Sequence, residues 1–447
     1  MTSLEEWITS RQIEEVECLI PDMSGIARGK ILPSAKFIKG AREGGLRLPE
    51  AIFVQSVTGS YKDISDVAAP ENSDISLRPD PSSIRPVPWY KEPTAQVICD
   101  AFYLDGRPVD IAPRELLRRV VGLYEQHGWR PVVAPELEFY LVKVNTDPDY
   151  PLEPPVGQSG RQESGRQAFG IEAANEFDPI MEDVYDYCDA QMIDVDTLAH
   201  EAGAAQFEIN FNHGDPMDLA DQVFLFKRTV RQAALNHNIY ATFMAKPHQN
   251  EPGSAMHIHQ SVIDRSSGKN RFSTRAGKDS KLFHHYIGGL QRYLPAAMPL
   301  LAPNVNSYRR LMPHSDAPIN VHWGHDNRTV GLRVPHSDAE NRRVENRVAG
   351  VDANPYLAIA ASLACGWLGM TEKIEPNNPV EGNAYRYAFS LSRHLTDALS
   401  KLNHSRPLKD VLGDRFVAAL NEVKILEYDA YQQVISSWER ENLLLNV

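Results

Sequence analysis

Two glutamates one residue apart, Glu136 and Glu138, interrupt the apolar run Pro135-Glu136-Leu137-Glu138-Phe139-Tyr140. In a strand, residues i and i+2 share a face, so both carboxylates point one way. His257 and His259 repeat the spacing within Gly253-Ser254-Ala255-Met256-His257-Ile258-His259. Three more polar clusters break apolar sequence: His200-Glu201 leading on to Glu208, Asn306-Ser307-Tyr308-Arg309-Arg310-Leu311 running to Asp316, and Arg343-Val344-Glu345-Asn346-Arg347. All five are read as lying within strands, the last with Arg343, Glu345 and Arg347 on one face. Singly, each has a plain explanation: a solvated sheet face, a hydrogen-bonded histidine pair, or a salt-bridge ladder on water. Together they are harder to dismiss. Five acids (Glu136, Glu138, Glu201, Glu208 and Glu345) converging with a histidine repel one another and need cations to hold them. Oxygen-rich sites with one imidazole suit Mg²⁺ or Mn²⁺, and six protein ligands are enough for two ions. Two such ions beside arginine forks make a phosphoryl-transfer clamp. The chemistry indicated is an ATP reaction on a sheet. The sequence has no GxxxxGK[ST] loop, GxGxxG turn, GxSxG elbow or HExxH pair, so no P-loop holds the nucleotide.

The elements that must position these residues fall into two textures. Residues 4–15 have helical spacing, 16–22 and 27–33 read as a strand pair around a turn, 51–57 read as extended, and 96–99 as a short strand. Up to residue 108 this predicts a small, mostly β domain. From residue 109 to 447 the pattern is larger. A helix starts at Pro113. Strands at 131–142, 205–211, 255–262 and 329–334 then alternate with helices at 217–236, 282–302, 356–373 and 419–442. Residues 145–168 and 264–280 read as surface loops. The strands are not regularly separated by single helices, so the larger unit is predicted as α+β with an antiparallel sheet.

Composition narrows the class. Of 447 residues, 42% are hydrophobic and 23% charged, which excludes disordered, collagen-like and coiled-coil chains. A net charge of −13 argues against a nucleic-acid partner. Four scattered cysteines without a CxxC pair suggest neither zinc nor disulfides. The apolar stretch 356–370 is too short to span a bilayer and reads as a buried helix. The acidic N-terminus does not resemble a signal peptide, so a cytoplasmic location is expected.

In this order, PELEF, HE-x6-E, GSxMHxH, NSYRRL and RRVENR resemble glutamine synthetases from about residue 16 to 373. The resemblance implies a β-grasp-like N-terminal domain (1–108) and a catalytic domain (109–447). It also implies a twelve-subunit double ring with active sites between subunits. It assigns Glu138, Glu201 and Glu208 to one metal, and Glu136, His257 and Glu345 to another beside the ATP phosphates. Arg310 and Arg347 match glutamate-binding arginines, and Gly253 lies in the glutamate loop. Arg333 and Arg343 match positions near the phosphates, Arg328 the arginine that stabilises transfer, and His259 and Ser261 nucleotide-side positions. The implied reaction forms a γ-glutamyl phosphate, which an amine then attacks.

The sequence departs from the ammonia-using pattern at two acceptor positions. Thr58, in Val57-Thr58-Gly59-Ser60-Tyr61, stands where that pattern has Asp, and a hydroxyl supplies neither charge nor basicity for ammonium. Asp316 matches the flap glutamate and is one methylene shorter. Pro252 replaces an Asn in the glutamate loop, and Tyr385 lies outside the family's regulatory Tyr-Asp-Leu-Pro segment. These features, with GSAMHIHQSV and the C-terminal Tyr431-x4-Ser436-x-Trp438-Glu439, resemble bacterial γ-glutamylpolyamine (γ-glutamylputrescine) synthetases. The expected partners are L-glutamate and a di- or polyamine such as putrescine, spermidine or spermine. Asp63, Asp66, Glu71 and Asp74 follow the altered loop and are candidates to attract a distal ammonium. Two alternatives stand beside this reading: an ammonia-using glutamine synthetase, and an inactive structural or regulatory member.

Overall fold

The computed structural model describes residues 3–61, 74–164, 167–313 and 316–447. Its chain forms two sheets. The smaller contains β1 (Glu15–Pro21), β2 (Ala27–Pro33), β3 (Arg47–Pro49), β4 (Asp74–Pro79), β5 (Arg85–Pro86) and β6 (Thr94–Phe102). Its order is β2-β1-β6-β4-β3, with β5 also on β6. β1 is antiparallel to β2 and parallel to β6. The backbones of β1 and β2 approach so closely at Gly29 that a Cβ there would collide with the Cys18 carbonyl. The stretch expected to be extended at 51–57 instead contains a 3-10 helix, Glu50–Val54, all five residues buried. A continuous apolar run has no period of two, so periodicity alone does not separate strand from helix there.

The larger sheet contains β7 (Trp129–Lys143), β8 (Val195–His200), β9 (Gln206–Phe211), β10 (Ile239–Thr242), β11 (Met256–Asp264), β12 (Trp323–His325), β13 (Leu332–Val334) and β14 (Val344–Asn346). Its order is β12-β13-β14-β11-β7-β9-β8, with β10 also paired to β7. The pairings are antiparallel except β12 with β13. β7, with 15 residues, is the spine, flanked by β9 and β11.

Helices Pro216–Asn236, Lys281–Leu301 and Pro355–Glu372 contribute heavily to the core. The last is apolar all round and buried almost throughout, as a core helix must be. It lies so close to Lys281–Leu301 that a Cβ on Gly289 would come within 2.5 Å of Gly369 Cα. No helix among the described residues is long and apolar enough to cross a membrane. All four cysteines are free and buried.

Three further expectations are corrected. The helix expected over 419–442 is two helices, Asp414–Gln432 and Ser437–Leu443. Ser436 starts the second by accepting from the Glu439 amide at 3.2 Å while Glu439 accepts from the Ser436 amide at 2.6 Å. This capping box favours a new helix start over continuation. The Asn306–Leu311 cluster is not a strand: Ser307–Arg310 is one helical turn. Glu201 lies in the β8–β9 connection.

The two sheets are bound together through Arg114, at the start of helix Pro113–Glu125. Its guanidinium reaches Asp80 at 2.8 Å and Asp100 at 2.7 Å on the small-sheet side, and Asp221 at 2.5 Å in helix Pro216–Asn236. Asn354, the cap of helix Pro355–Glu372, donates to the Asp22 carbonyl at 2.8 Å in the β1–β2 turn.

Candidate active site

Strand register assembles the site. On β7, Glu136 stands opposite His257 of β11 and Asn210 of β9, and Glu138 stands opposite Glu208 of β9. β11 sets His259 opposite Glu345 of β14, and β13 sets Arg333 opposite the same glutamate. Directly paired residues share a sheet face, so the alternation read from sequence delivers these side chains to one side.

Their contacts are close. His257 Nδ1 lies 3.3 Å from Glu136 and 3.6 Å from Glu345, and its Nε2 lies 3.9 Å from Glu138. Glu345, fully buried, takes Arg347 at 2.6 Å and Arg333 at 3.0 Å. Arg343 Nε donates to His259 Nδ1 at 3.2 Å. Arginine has no acceptor, so His259 keeps its proton on Nε2 and donates it to Glu136, 2.8 Å away.

The acids are unequally held. Burial and the neighbouring Glu201 charge push Glu138 up to about 8, while the Ala255 amide and two arginines oppose them. Burial, then Glu136 and Glu138, push Glu208 up to about 9. Burial also raises Glu201. Burial would raise Glu136 and Glu345 too. The two histidines nevertheless hold Glu136 well below the usual carboxylate range, and Arg347 with the histidines holds Glu345 at about 2. Burial and Arg347 lower His257, favouring the neutral imidazole that a metal requires.

Two adjoining cavities contain nearly all the candidate residues. One, of about 390 Å³, is lined by Glu136, Glu138, Glu201, Glu208, His257 and Glu345 together with Gly253, Arg310, Asp316, Arg328, Arg333 and Arg347. The other, of about 680 Å³, is lined by His259, Ser261 and Arg343. Glu136 and Asn210 belong to both walls. Thr58 lines neither. Its hydroxyl sits 2.8 Å from Ser56 Oγ, and its turn is fastened to helix Asp414–Gln432, where Glu427 accepts from the Val57 amide at 2.8 Å. Asp63, Asp66 and Glu71 lie outside the described residues, and Asp74 opens β4, exposed.

Sequence reasoning missed Asn210 and Phe169. Asn210 donates to Glu136 at 3.2 Å. It follows Glu208 at i+2, so the alternation already used for the carboxylates would have found it. Phe169 lines the smaller cavity, is 68% exposed and has φ +60°. No sequence signal marks an aromatic residue in a left-handed conformation.

The donor set fits hard divalent cations. Ligand atoms of Glu136, His257 and Glu345 all lie within 4.8 Å of one another, and so do those of Glu138, Glu208 and His257. Glu201 lines the same cavity but falls outside both close groups. Buried carboxylates that raise one another are relieved by a cation.

The fold and site define an α+β protein whose sheet carries an oxygen-rich, arginine-bordered cavity. The chain belongs to the glutamine synthetase family: residues 110–443 match the glutamine synthetase catalytic domain. It is 35% identical over 435 residues to the gamma-glutamylputrescine synthetase PuuA of Escherichia coli (strain K12), covering 96% of this chain and 92% of that one. It is 31% identical over 449 residues to the glutamate–isopropylamine ligase of a Pseudomonas species, covering 98% and 96%. A solved structure of apo GmaS without ligand superposes over 100% of both chains with a TM-score of 0.85 at 26% identity. The fold is that of the glutamine synthetases.

Proposed function

We propose that this protein is an ATP-dependent ligase that joins the γ-carboxylate of L-glutamate to a primary amine of the diamine or polyamine class, in amine catabolism. The observation that carries the reading is the gathering in one cavity of the crowded carboxylates with Arg310, Arg328, Arg333 and Arg347. The names of the two relatives, one a putrescine and one an isopropylamine ligase, support an amine acceptor. Thr58 in place of an acid argues against ammonia.

In this reading Glu136, His257 and Glu345 hold one Mg²⁺ or Mn²⁺, and Glu138 and Glu208, with Glu201, hold another. Bound there, the ions neutralise phosphate charge. Arg310 and Arg347 grip glutamate by its carboxylates. His259, Ser261, Arg333 and Arg343 orient the nucleotide, and Arg328 stabilises the transferring phosphoryl group. A γ-carboxylate oxygen attacks the terminal phosphorus of ATP and ADP leaves. The amine, having lost a proton, then attacks the acyl carbon, and phosphate leaves as the amide forms. Asp316, exposed at the cavity with φ +57°, covers the acyl phosphate against water and faces the incoming ammonium. Phe169 offers an apolar wall to the amine's methylenes, whose burial yields roughly 25 cal/mol per Å². The Thr58 turn, which lines neither cavity of its own chain, serves the site of a neighbouring copy in a double ring of twelve. The unit before residue 108 then adds an acceptor-side residue to a site that residues 109–447 build.

The test is product analysis by mass after competition between ammonia and amines at fixed ATP, Mg²⁺ and glutamate. A primary di- or polyamine should be preferred by about tenfold in kcat/KM, near 1.4 kcal/mol of discrimination. Thr58→Asp should shift use toward ammonia. Glutamine as the dominant product returns the chain to the ammonia users. Absence of metal-dependent ATP turnover points to the inactive member.

A further inference from the structure

Arg310 ends a helix of only four residues, Ser307–Arg310. A single turn has too few internal hydrogen bonds to hold itself, so its direction is set from outside. Two side chains supply that restraint. Asp352 Oδ2 accepts from Ser307 Oγ at 2.6 Å and from Asn304 Nδ2 at 2.8 Å. On the other flank, the Asn306 amide pairs with the backbone of Lys246, accepting from its N–H and donating to its carbonyl, both at 2.9 Å.

These restraints join the root of Arg310 to the segments around its tip. Arg310 Nη2 donates to the carbonyls of Arg347 and Val348, a few residues before Asp352. Lys227, fully buried, donates to the carbonyls of Val351 and Ala353, fixing the backbone on both sides of Asp352. Lys246 opens the loop that leads to Gly253, closed by the Ser254 amide on the Ala245 carbonyl at 2.8 Å. Gly253 is packed so tightly that a Cβ would strike Arg310 Cγ and that same carbonyl. Neither Asp352 nor Asn306 belongs to the cavity wall.

We propose that Asp352 and Asn306 are positioning residues that set the aim of Arg310 and thereby govern affinity for glutamate. The proposal rests on the reading of Arg310 as a glutamate-binding residue. Asp352 ties the turn to the segment that receives the guanidinium. Asn306 ties it to the loop that carries Gly253. Losing either tie lets the turn swivel while the nucleotide cavity stays intact.

The experiment compares wild type with Asp352→Ala, Asp352→Asn and Asn306→Ala. It measures KM for glutamate, KM for ATP and kcat, and glutamate binding by calorimetry. Asp352→Ala and Asn306→Ala should each raise KM for glutamate about tenfold or more, with KM for ATP within about twofold. Asp352→Asn should recover most of the loss, because its amide oxygen still accepts from Ser307 and Asn304. Equal changes in both KM values, or a loss confined to folded yield, would overturn the proposal. If Asp352→Ala does not fold, Asn306→Ala and Asp352→Asn decide on the same criteria. A wild type that saturates with glutamate while the variants match it removes the positioning role alone. A wild type that does not bind glutamate removes the ligase reading and this proposal with it.

Discussion

Two buried arginine–carboxylate clusters in this molecule follow opposite rules. Around Arg114, each of Asp80, Asp100 and Asp221 lies within ion-pair distance of a guanidinium, and Arg118 adds a second cation to Asp100 at 2.8 Å. Tyr356 donates to Asp221 at 2.6 Å. In the cavity, Arg333 and Arg347 both converge on Glu345. Among the described residues, no ion pair reaches Glu201 or Glu208. A cluster with every acid matched acts as a joint between parts of the fold. One that leaves acids crowded and unmatched is the arrangement a bound cation relieves.

This contrast can be broken at several points. The largest effect is expected at the unmatched acids. Glu208→Ala or Glu138→Ala should lower ligase activity by about a thousandfold or more, near 4 kcal/mol, and reduce stabilisation by Mg²⁺ in thermal melts to what the Glu136, His257 and Glu345 group alone supports. The metal-free melting temperature should hold or rise, since one of several crowded acids is gone. Turnover close to wild type in either variant removes the metal assignment.

The matched cluster should behave in the reverse way. Arg114→Met leaves buried Asp221 and half-buried Asp80 and Asp100 without their shared cation and should cost about 3 kcal/mol in urea unfolding. Its KM values, measured on the folded fraction, should stay unchanged. A large KM shift with unchanged stability would make Arg114 part of the site. Arg347→Lys tests the border between the two kinds. It keeps the charge beside Glu345 but loses the planar fork, so an activity loss of about a hundredfold is expected. Near-normal glutamate affinity in that variant assigns Arg347 another role.

The smallest effect is a pH dependence. Glu138 and Glu208 titrate near 8 and 9 in the metal-free fold, against an ordinary 4.5. Between 4.5 and these values the native state binds more protons than the unfolded state. The stability these groups give is therefore fully present below 4.5 and is lost as pH rises through 8 to 9. A divalent ion must displace the same protons, so its binding tightens over that range. The rise in melting temperature caused by Mg²⁺ should grow from about pH 6.5 to 8.5. A flat increment would mean that these carboxylates do not carry the ion.

Much of this was legible in sequence because the site is built on alternation. The i, i+2 pairs at Glu136 and Glu138, and at His257 and His259, are statements about a strand face, and β7 and β11 carry them in adjacent register. The long helices announced themselves by apolar spacing. What failed was local geometry in short segments. Glu50–Val54 is uniformly buried, so no period distinguishes its conformation. Asn306–Leu311 looked like strand because its polar residues resembled those of the true strands, yet it is held as a turn by Asp352, far along the chain. The break before Ser437 did have a signal, Ser436 with Glu439 three residues later, hidden within a longer apolar pattern. Phe169 and Asp352 acquire meaning only from tertiary neighbours.

Glu136 is wall to both cavities and meets a histidine from each, His257 on one side and His259 on the other. A guest in either cavity that attracts or displaces this carboxylate changes the free energy of the other. Thermodynamic linkage makes such coupling mutual: if nucleotide tightens glutamate by some factor, glutamate tightens nucleotide by the same factor. Coupling of this kind, through one shared side chain, would make the two affinities properties of the pair.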